Sequence, residues 1–229
     1  MKNIVVTGAS SGLGKHISMK LIEEGYEVIG LSRTVPDDCK FKTLKCDVGD
    51  FTNVKQCFKE IRKTFDVHAL INAAGIASMN LFIMTPAYKM EQIIKTNVLG
   101  TMFCSQEALK IFARQKDSRN VILNFSTIAV SIALKGESVY VASKAAVEGF
   151  SRTIAKEAAD FNCNVNTIAP GPVDTKLIKG INKAQIDKII EQQTIQNKAK
   201  KSDIFDICKL LLSEEAKNIT GQLINVKGV

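Results

Sequence analysis

The sequence predicts an α/β protein: a doubly wound parallel sheet with helices on both faces. Three observations predict it. Short apolar runs alternate with longer amphipathic stretches from end to end, the pattern of strands joined by helical crossovers. The apolar runs show little internal alternation, as strands buried on both faces do. The loops that follow those runs hold the glycines and polar residues, and sheets of this kind bind ligands beyond the carboxyl ends of their strands.

The first strand, Ile4–Val6, is an apolar run that ends in a glycine-rich turn, and an amphipathic helix follows at about 13–24. The second, Glu27–Leu31, and third, Lys42–Cys46, precede a helix at about 52–64. Ala69–Ile71 leads to a long helix over 87–113, and Val121–Phe125 to another over 139–160. Asn164–Ile168 is followed by helices at 184–196 and 203–213, and Leu223–Val226 closes the series. No repeat, linker or low-complexity stretch interrupts it. The expectation is a single domain over 1–229, with 176–202 as a small lid over a substrate.

The bulk numbers bound the function. At 229 residues, 45% hydrophobic and 24% charged, the chain has the make-up of a globular protein with a substantial core. No apolar run approaches the roughly 18 residues of a membrane span. Met1-Lys2-Asn3 runs directly into Ile4-Val5-Val6, too short for a signal-peptide core. A cytoplasmic protein without membrane contact is expected. Six cysteines lie scattered with no Cys-x-x-Cys, which reads as free buried thiols. His16 and His68 share no cluster with them, so no metal site is expected. The net charge of +8 is not gathered into a basic patch with interleaved aromatics, so nucleic acid is not an expected partner. Between Lys176 and Asp203 seven lysines face three acids. A solvated helix pair is the favoured reading of that surplus, and the border of an anionic site the other.

The turn after the first strand reads Thr7-Gly8-Ala9-Ser10-Ser11-Gly12-Leu13-Gly14. Glycines between a strand and a helix permit a tight turn and let the backbone approach a pyrophosphate at the positive helix N-terminus. After the second strand come Ser32 and Arg33, with Ser32 18 residues beyond Gly14. An acid there would bind the ribose hydroxyls of NAD; an arginine suits the 2′-phosphate of NADP. NADP(H) is therefore the expected cofactor, with NAD(H) as the alternative.

Tyr140 and Lys144 are four residues apart, so a helix would set them side by side on one face. An ammonium beside a phenol lowers its pKa and makes it a usable proton donor. Such pairs are common by chance and gain meaning from their surroundings.

Those surroundings resemble the classical short-chain dehydrogenase/reductase family, from Asn3 nearly to the end. The motifs run in order: Thr7 to Gly14, Asp47-Val48, Asn72-Ala73-Ala74-Gly75, Asn97, Ser126, Tyr140 to Lys144, Pro170 to Thr175, and Ile219-Thr220-Gly221-Gln222. The resemblance implies a Rossmann-type sheet of about seven strands ordered 3-2-1-4-5-6-7. It implies Tyr140 as proton donor to a carbonyl oxygen and Lys144 on the nicotinamide ribose, lowering the pKa of Tyr140. Ser126 would hold the substrate oxygen, and Asn97 would anchor a water in the proton relay. Around the cofactor it implies Gly8, Ser10, Ser11, Gly12, Leu13 and Gly14 at the pyrophosphate and Ser32 and Arg33 at the adenosine ribose. Asp47 and Val48 would meet the adenine, Asn72, Ala73, Ala74 and Gly75 the ribose side, and Pro170, Gly171, Val173 and Thr175 the carboxamide. Homodimers or homotetramers packed through the two long helices are also implied.

Two features depart from the family pattern. Ser126 and Tyr140 are 14 apart where 13 is common, and the chain ends Asn225-Val226-Lys227-Gly228-Val229 where relatives carry an acid and paired glycines. The expected substrate is a small or medium carbonyl compound or secondary alcohol. Met79, Leu81, Phe82, Ile128, Val130, Ile132 and Leu134 are candidates for an apolar pocket wall, or for core or subunit contacts; Leu177, Ile178 and Ile181 are candidates for the inner face of the lid. A 3-oxoacyl carrier-protein reductase is one alternative. In such members two arginines dock the carrier, and the matching positions here are Asn120 and Phe161, with Arg119 beside the first. A non-catalytic dinucleotide-binding redox sensor is the other, although intact Asn97, Ser126, Tyr140 and Lys144 argue against it.

Overall fold

The computed structural model describes residues 2–35, 39–115, 118–175 and 183–229. Seven strands, all parallel, form one sheet in the order β3-β2-β1-β4-β5-β6-β7. They are β1 (Asn3–Thr7), β2 (Glu27–Ser32), β3 (Lys42–Lys45), β4 (Val67–Asn72), β5 (Asn120–Phe125), β6 (Cys163–Ala169) and β7 (Leu223–Asn225). The helices are α1 (Gly12–Glu23), α2 (Phe51–Thr64), α3 (Ala87–Ile93), α4 (Gly100–Phe112), α5 (Ser138–Ala158), α6 (Lys183–Glu191) and α7 (Lys201–Leu212).

Alternate residues of each strand point to opposite faces, and both faces are covered. Ile4, Val6 and Leu123 pack with Ile17 and Leu21 of α1 and Ile204 and Leu211 of α7. Val5, Leu70 and Ile122 pack with Val54 and Phe58 of α2, Phe112 of α4 and Ile154 of α5. That is why the central strands read as unbroken apolar runs. The strand order reverses at β1, between β2 and β4, which opens a crevice at the carboxyl ends. Thr7, Asn72, Phe125 and Ala169 end the four strands beneath it.

The predicted helix over 87–113 is not one helix. A π turn over Ile94–Leu99 separates α3 from α4. Its cause is Asn97, fully buried, whose side chain leaves the helix to bond the backbone of Ile76: Ile76 N–H donates to Oδ1 and Nδ2 donates to Ile76 O, each at 2.9 Å. The helix predicted to reach 196 stops at Glu191, because the chain turns to meet the C-terminus. Ile195 N–H donates to Lys227 O at 2.9 Å and Thr194 N–H to Gly228 O at 3.4 Å. Residues 176–182 of the expected lid, Leu177, Ile178 and Ile181 among them, lie outside the described residues.

Arg119 closes the far end of the sheet. Its guanidinium donates to Asn164 Oδ1 at 2.7 Å and to the carbonyls of Leu211, Leu212, Ser213 and Ala216 at 2.7–3.4 Å. It caps the open carbonyls at the end of α7. Because Asn120 begins β5, this arginine stands at the amino end of the strand, opposite the crevice. All six cysteines are free, and all but Cys39 are buried.

Candidate active site

The crevice holds a cavity of about 460 Å³. Its floor on the α1 side is the glycine turn. Gly8 and Gly12 take φ of +68° and +58°, left-handed values that glycine adopts without strain. A Cβ on Gly8 would stand 2.9 Å from the Ala74 Cα, and one on Gly14 would collide with the Gly8 carbonyl. The turn is therefore pressed against the end of β4, where Ala74 N–H also donates to Thr7 Oγ1 at 3.0 Å. Ser11 is the N-cap of α1 but its hydroxyl caps nothing, so the first-turn N–H groups open into the cavity. A phosphate fits that cradle. Thr175 faces Gly12 across the cleft, its Cβ 3.9 Å from where a Gly12 Cβ would lie.

The structure gathers Gly8, Ser11, Gly12, Leu13, Ala73, Ala74, Gly75, Ser126, Tyr140 and Lys144 around this cavity, with Pro170, Gly171, Val173 and Thr175 opposite. Other predicted residues stand apart from it. Gly14 lies behind the turn. Asn72 is buried in the sheet, donating to Asn124 Oδ1 at 2.8 Å and Ser105 Oγ at 3.1 Å, so its side chain ties β4 to β5 and α4. Ser32 spends its hydroxyl on Thr34 O at 2.7 Å. Arg33 is exposed beside it, and Ser10 reaches Thr34 Oγ1 at 3.5 Å. Asp47 is exposed and accepts from Gly49 N–H at 3.0 Å, while Val48 is buried against Gly100. Of the proposed apolar wall, Ile128 and Leu134 line the cavity, whereas Leu81 and Phe82 face solvent.

The candidate reactive side chains come from α5 and from the residue that follows β5. Tyr140 and Lys144 lie one turn apart on the buried face of α5. Lys144 Nζ donates to Phe125 O at 2.8 Å and stands 5.9 Å from the centre of the Tyr140 ring. Burial lowers its pKa to about 8. The expectation that Lys144 depresses the phenol is not what this geometry gives. Burial pushes the Tyr140 phenol up, the Glu137 carboxylate pushes it further, and only a hydrogen bond with Thr127 acts the other way. The ammonium is engaged with a carbonyl, and desolvation dominates. Asn97 Nδ2 also donates to Ser143 Oγ at 3.0 Å, and Ser143 in turn donates to Tyr140 O at 2.6 Å. Asn97 thus braces both the loop after β4 and the buried face of α5.

Two carboxylates escaped the sequence reading. Glu148 accepts from Ser126 Oγ at 2.5 Å, and both residues are buried. The signal was there: 140, 144 and 148 fall on one helical face. Glu137 is the N-cap of α5, yet its side chain makes no capping bond and borders the cavity instead. Burial raises its pKa to about 7. In the loop between Ser126 and Tyr140, Ala133 takes a left-handed φ of 48° and Gly136 one of 90°. The site therefore offers a buried phenol held in its protonated form, beside a serine, an ammonium and an anion cradle. It can place a proton on an oxygen bound above Ser126.

Comparison with known proteins agrees with this geometry. A family model described as Enoyl-(Acyl carrier protein) reductase matches residues 8–228. The chain belongs to the classical short-chain dehydrogenase/reductase family, oxidoreductases acting on CH–OH groups with a nicotinamide dinucleotide. It is 32% identical to the 3-oxoacyl-(acyl-carrier-protein) reductase FabG of Staphylococcus epidermidis, over 99% of this chain and 98% of that one. The aldohexose dehydrogenase of Thermoplasma acidophilum superposes with a TM-score of 0.88 at 31% identity, covering 98% of this chain and 92% of that one. A 4-hydroxyisoleucine dehydrogenase complexed with NADH superposes at 0.90 with 26% identity, covering 100% and 98%. No helix among the described residues is long and apolar enough to cross a membrane.

Proposed function

We propose that this protein is an NADPH-preferring reductase of small or medium carbonyl compounds, with Tyr140 as the acid. The observation that carries the reading is the meeting of Ser126, Tyr140 and Lys144 with the glycine cradle in one cavity. A nicotinamide held there supplies the hydride. Ser11, Gly12 and Leu13 would hold the pyrophosphate, Lys144 the nicotinamide ribose, and Val173 and Thr175 the carboxamide. Tyr140 gives its proton to the carbonyl oxygen, which Ser126 positions by turning its hydroxyl from Glu148 to the substrate. Burial keeps the Tyr140 phenol protonated, the form from which reduction begins. Arg33, exposed beside the end of β2 with Ser10 and Thr34 nearby, supports NADP(H) over NAD(H). Exposed Ile94 and Leu99 support subunit packing through the 87–113 segment in a homodimer or homotetramer. A cytoplasmic setting accords with the absence of a membrane-spanning helix among the described residues.

Tyr140→Phe should lower carbonyl-dependent NADPH oxidation roughly a thousandfold while the folded protein still binds NADPH. Retained turnover overturns the assignment. Reduction of 3-oxoacyl groups on a carrier protein is the second reading, supported by the relatives bearing that name. Arg119, beside the first carrier-docking position, is spent inside the fold, at the opposite end of β5. Acetoacetyl groups on carrier protein, reduced far faster than free ketones, would select that reading. Family membership displaces the sensor.

A further inference from the structure

The cavity contains a carboxylate that the mechanism above does not use. Glu137 is 5% exposed and sits one turn before Tyr140, close enough to act on its phenol. It occupies the N-cap of α5 without capping it, and among the described residues its carboxylate has no hydrogen bond or ion pair. Its surroundings explain why that is unusual. Ile128, Leu134 and Ile189 line the same cavity, and among the described residues the cations bordering it are Lys144, bonded to Phe125 O, and Lys89. A carboxyl taken out of water and left unpaired is costly unless a ligand completes it.

We propose that Glu137 is a specificity-determining residue that selects carbonyl substrates carrying a cationic amine near the reacting carbon. The inference rests on the reading that this cavity is the substrate pocket of a reductase. An ammonium against Glu137 restores the solvation that burial removed. It also cancels the field by which Glu137 disfavours negative charge beside Tyr140, so the amine assists the step in which the phenol gives up its proton. The same carboxylate repels an anionic substrate. The energetic handedness of the pocket is thus set by one side chain: cation above neutral, neutral above anion.

Three ketones sharing the CH2–CO–CH3 end provide the probe: protonated 1-(dimethylamino)propan-2-one, its uncharged isostere 4-methylpentan-2-one, and acetoacetate. Binding to the NADP⁺-loaded protein is read by ligand-observed NMR titration, in which no reduction occurs. Wild type should bind the cationic ketone about tenfold or more tightly than its isostere and acetoacetate weakest, and Glu137→Gln should bring the first two within about twofold, as loss of one desolvated charge contact implies. Equal affinities in wild type, a preference that persists in Glu137→Gln, or no measurable binding of the cation overturns the proposal. Turnover of the same ketones with NADPH, in wild type and Tyr140→Phe, is the separate arm. Absence of Tyr140-dependent turnover on all three with the cation preference intact counts against the reductase reading alone. Turnover that requires Tyr140 but ignores the charge of the ketone counts against the role of Glu137 alone.

Discussion

Replacing Glu137 by Gln keeps the shape of the side chain and removes its titration, and stability should report the change as a function of pH. Burial raises this carboxyl from its ordinary 4.5 to about 7, so the folded protein holds the proton more tightly than the unfolded chain does. Below pH 4.5 the group is protonated in both states and there is no penalty. Above pH 7 it is ionised in both, and the fold carries the full cost of desolvating the charge. The contribution is therefore present at low pH and lost as pH rises from 4.5 through about 7. At about 1.4 kcal/mol per pH unit, the loss across that window reaches ~3 kcal/mol. Urea unfolding of wild type and Glu137→Gln in parallel, stepped across the same window, isolates it, because the other titrating groups cancel in the difference. The variant should gain on wild type by about 2–3 kcal/mol between the two ends. A difference that stays flat, or that shrinks as pH rises, refutes the claim that this carboxyl is buried without a partner among the described residues.

Lys144→Met should abolish turnover yet stabilise the neutral-pH protein by about 1–2 kcal/mol, the relief of a buried charge less one hydrogen bond to Phe125 O. Burial lowers the lysine from 10.5 to about 8, so that gain should fade as pH rises between those values, where the wild-type amine sheds its proton; denaturation at both ends of the range checks it. Arg33→Ala should raise the KM for NADPH about tenfold or more with little change for NADH, since a forked charge contact to the 2′-phosphate is lost; steady-state kinetics with both cofactors decides. Arg119→Met should destabilise by about 2–4 kcal/mol, leaving several buried carbonyls without a donor, while kcat/KM is unchanged because the site lies at the other end of β5; unfolding and kinetics on one preparation test both halves.

The fold was readable because each strand had to be apolar on two faces. β1 and β5 fall within a residue or two of their predicted bounds for that reason. The meeting of Tyr140, Lys144 and Ser126 in one cavity was readable because the first two share a helical face and Ser126 directly follows a strand. What could not be read depended on surroundings. The sequence from 87 to 113 keeps a helical pattern straight through Ile94–Leu99, and only the bonds from Asn97 to Ile76 reveal the π turn. A glutamate looks the same in a sequence whether it meets water or a cavity wall, so Glu137 and Glu148 passed unnoticed. The direction of the Tyr140 shift was missed for a related reason. Spacing gives proximity to Lys144, but burial, which follows from the whole fold, outweighs it.

The π turn has a bearing on how this chain tolerates insertion and deletion. A π turn holds one residue more than the α-helix it interrupts. Deleting a single residue within Ile94–Leu99 would let α3 and α4 join as one regular helix, relieving the local irregularity and improving the backbone bonding. The residues beyond the deletion would keep their faces, because the π turn absorbs the residue that is removed; Phe112 and its partners stay packed, while the widened turn from which Asn97 reaches Ile76 and Ser143 closes. A shorter relative of this chain can therefore be regular here or can keep its asparagine in place, but not both. The extra residue aims Asn97 at the loop after β4 while leaving α4 seated on the core.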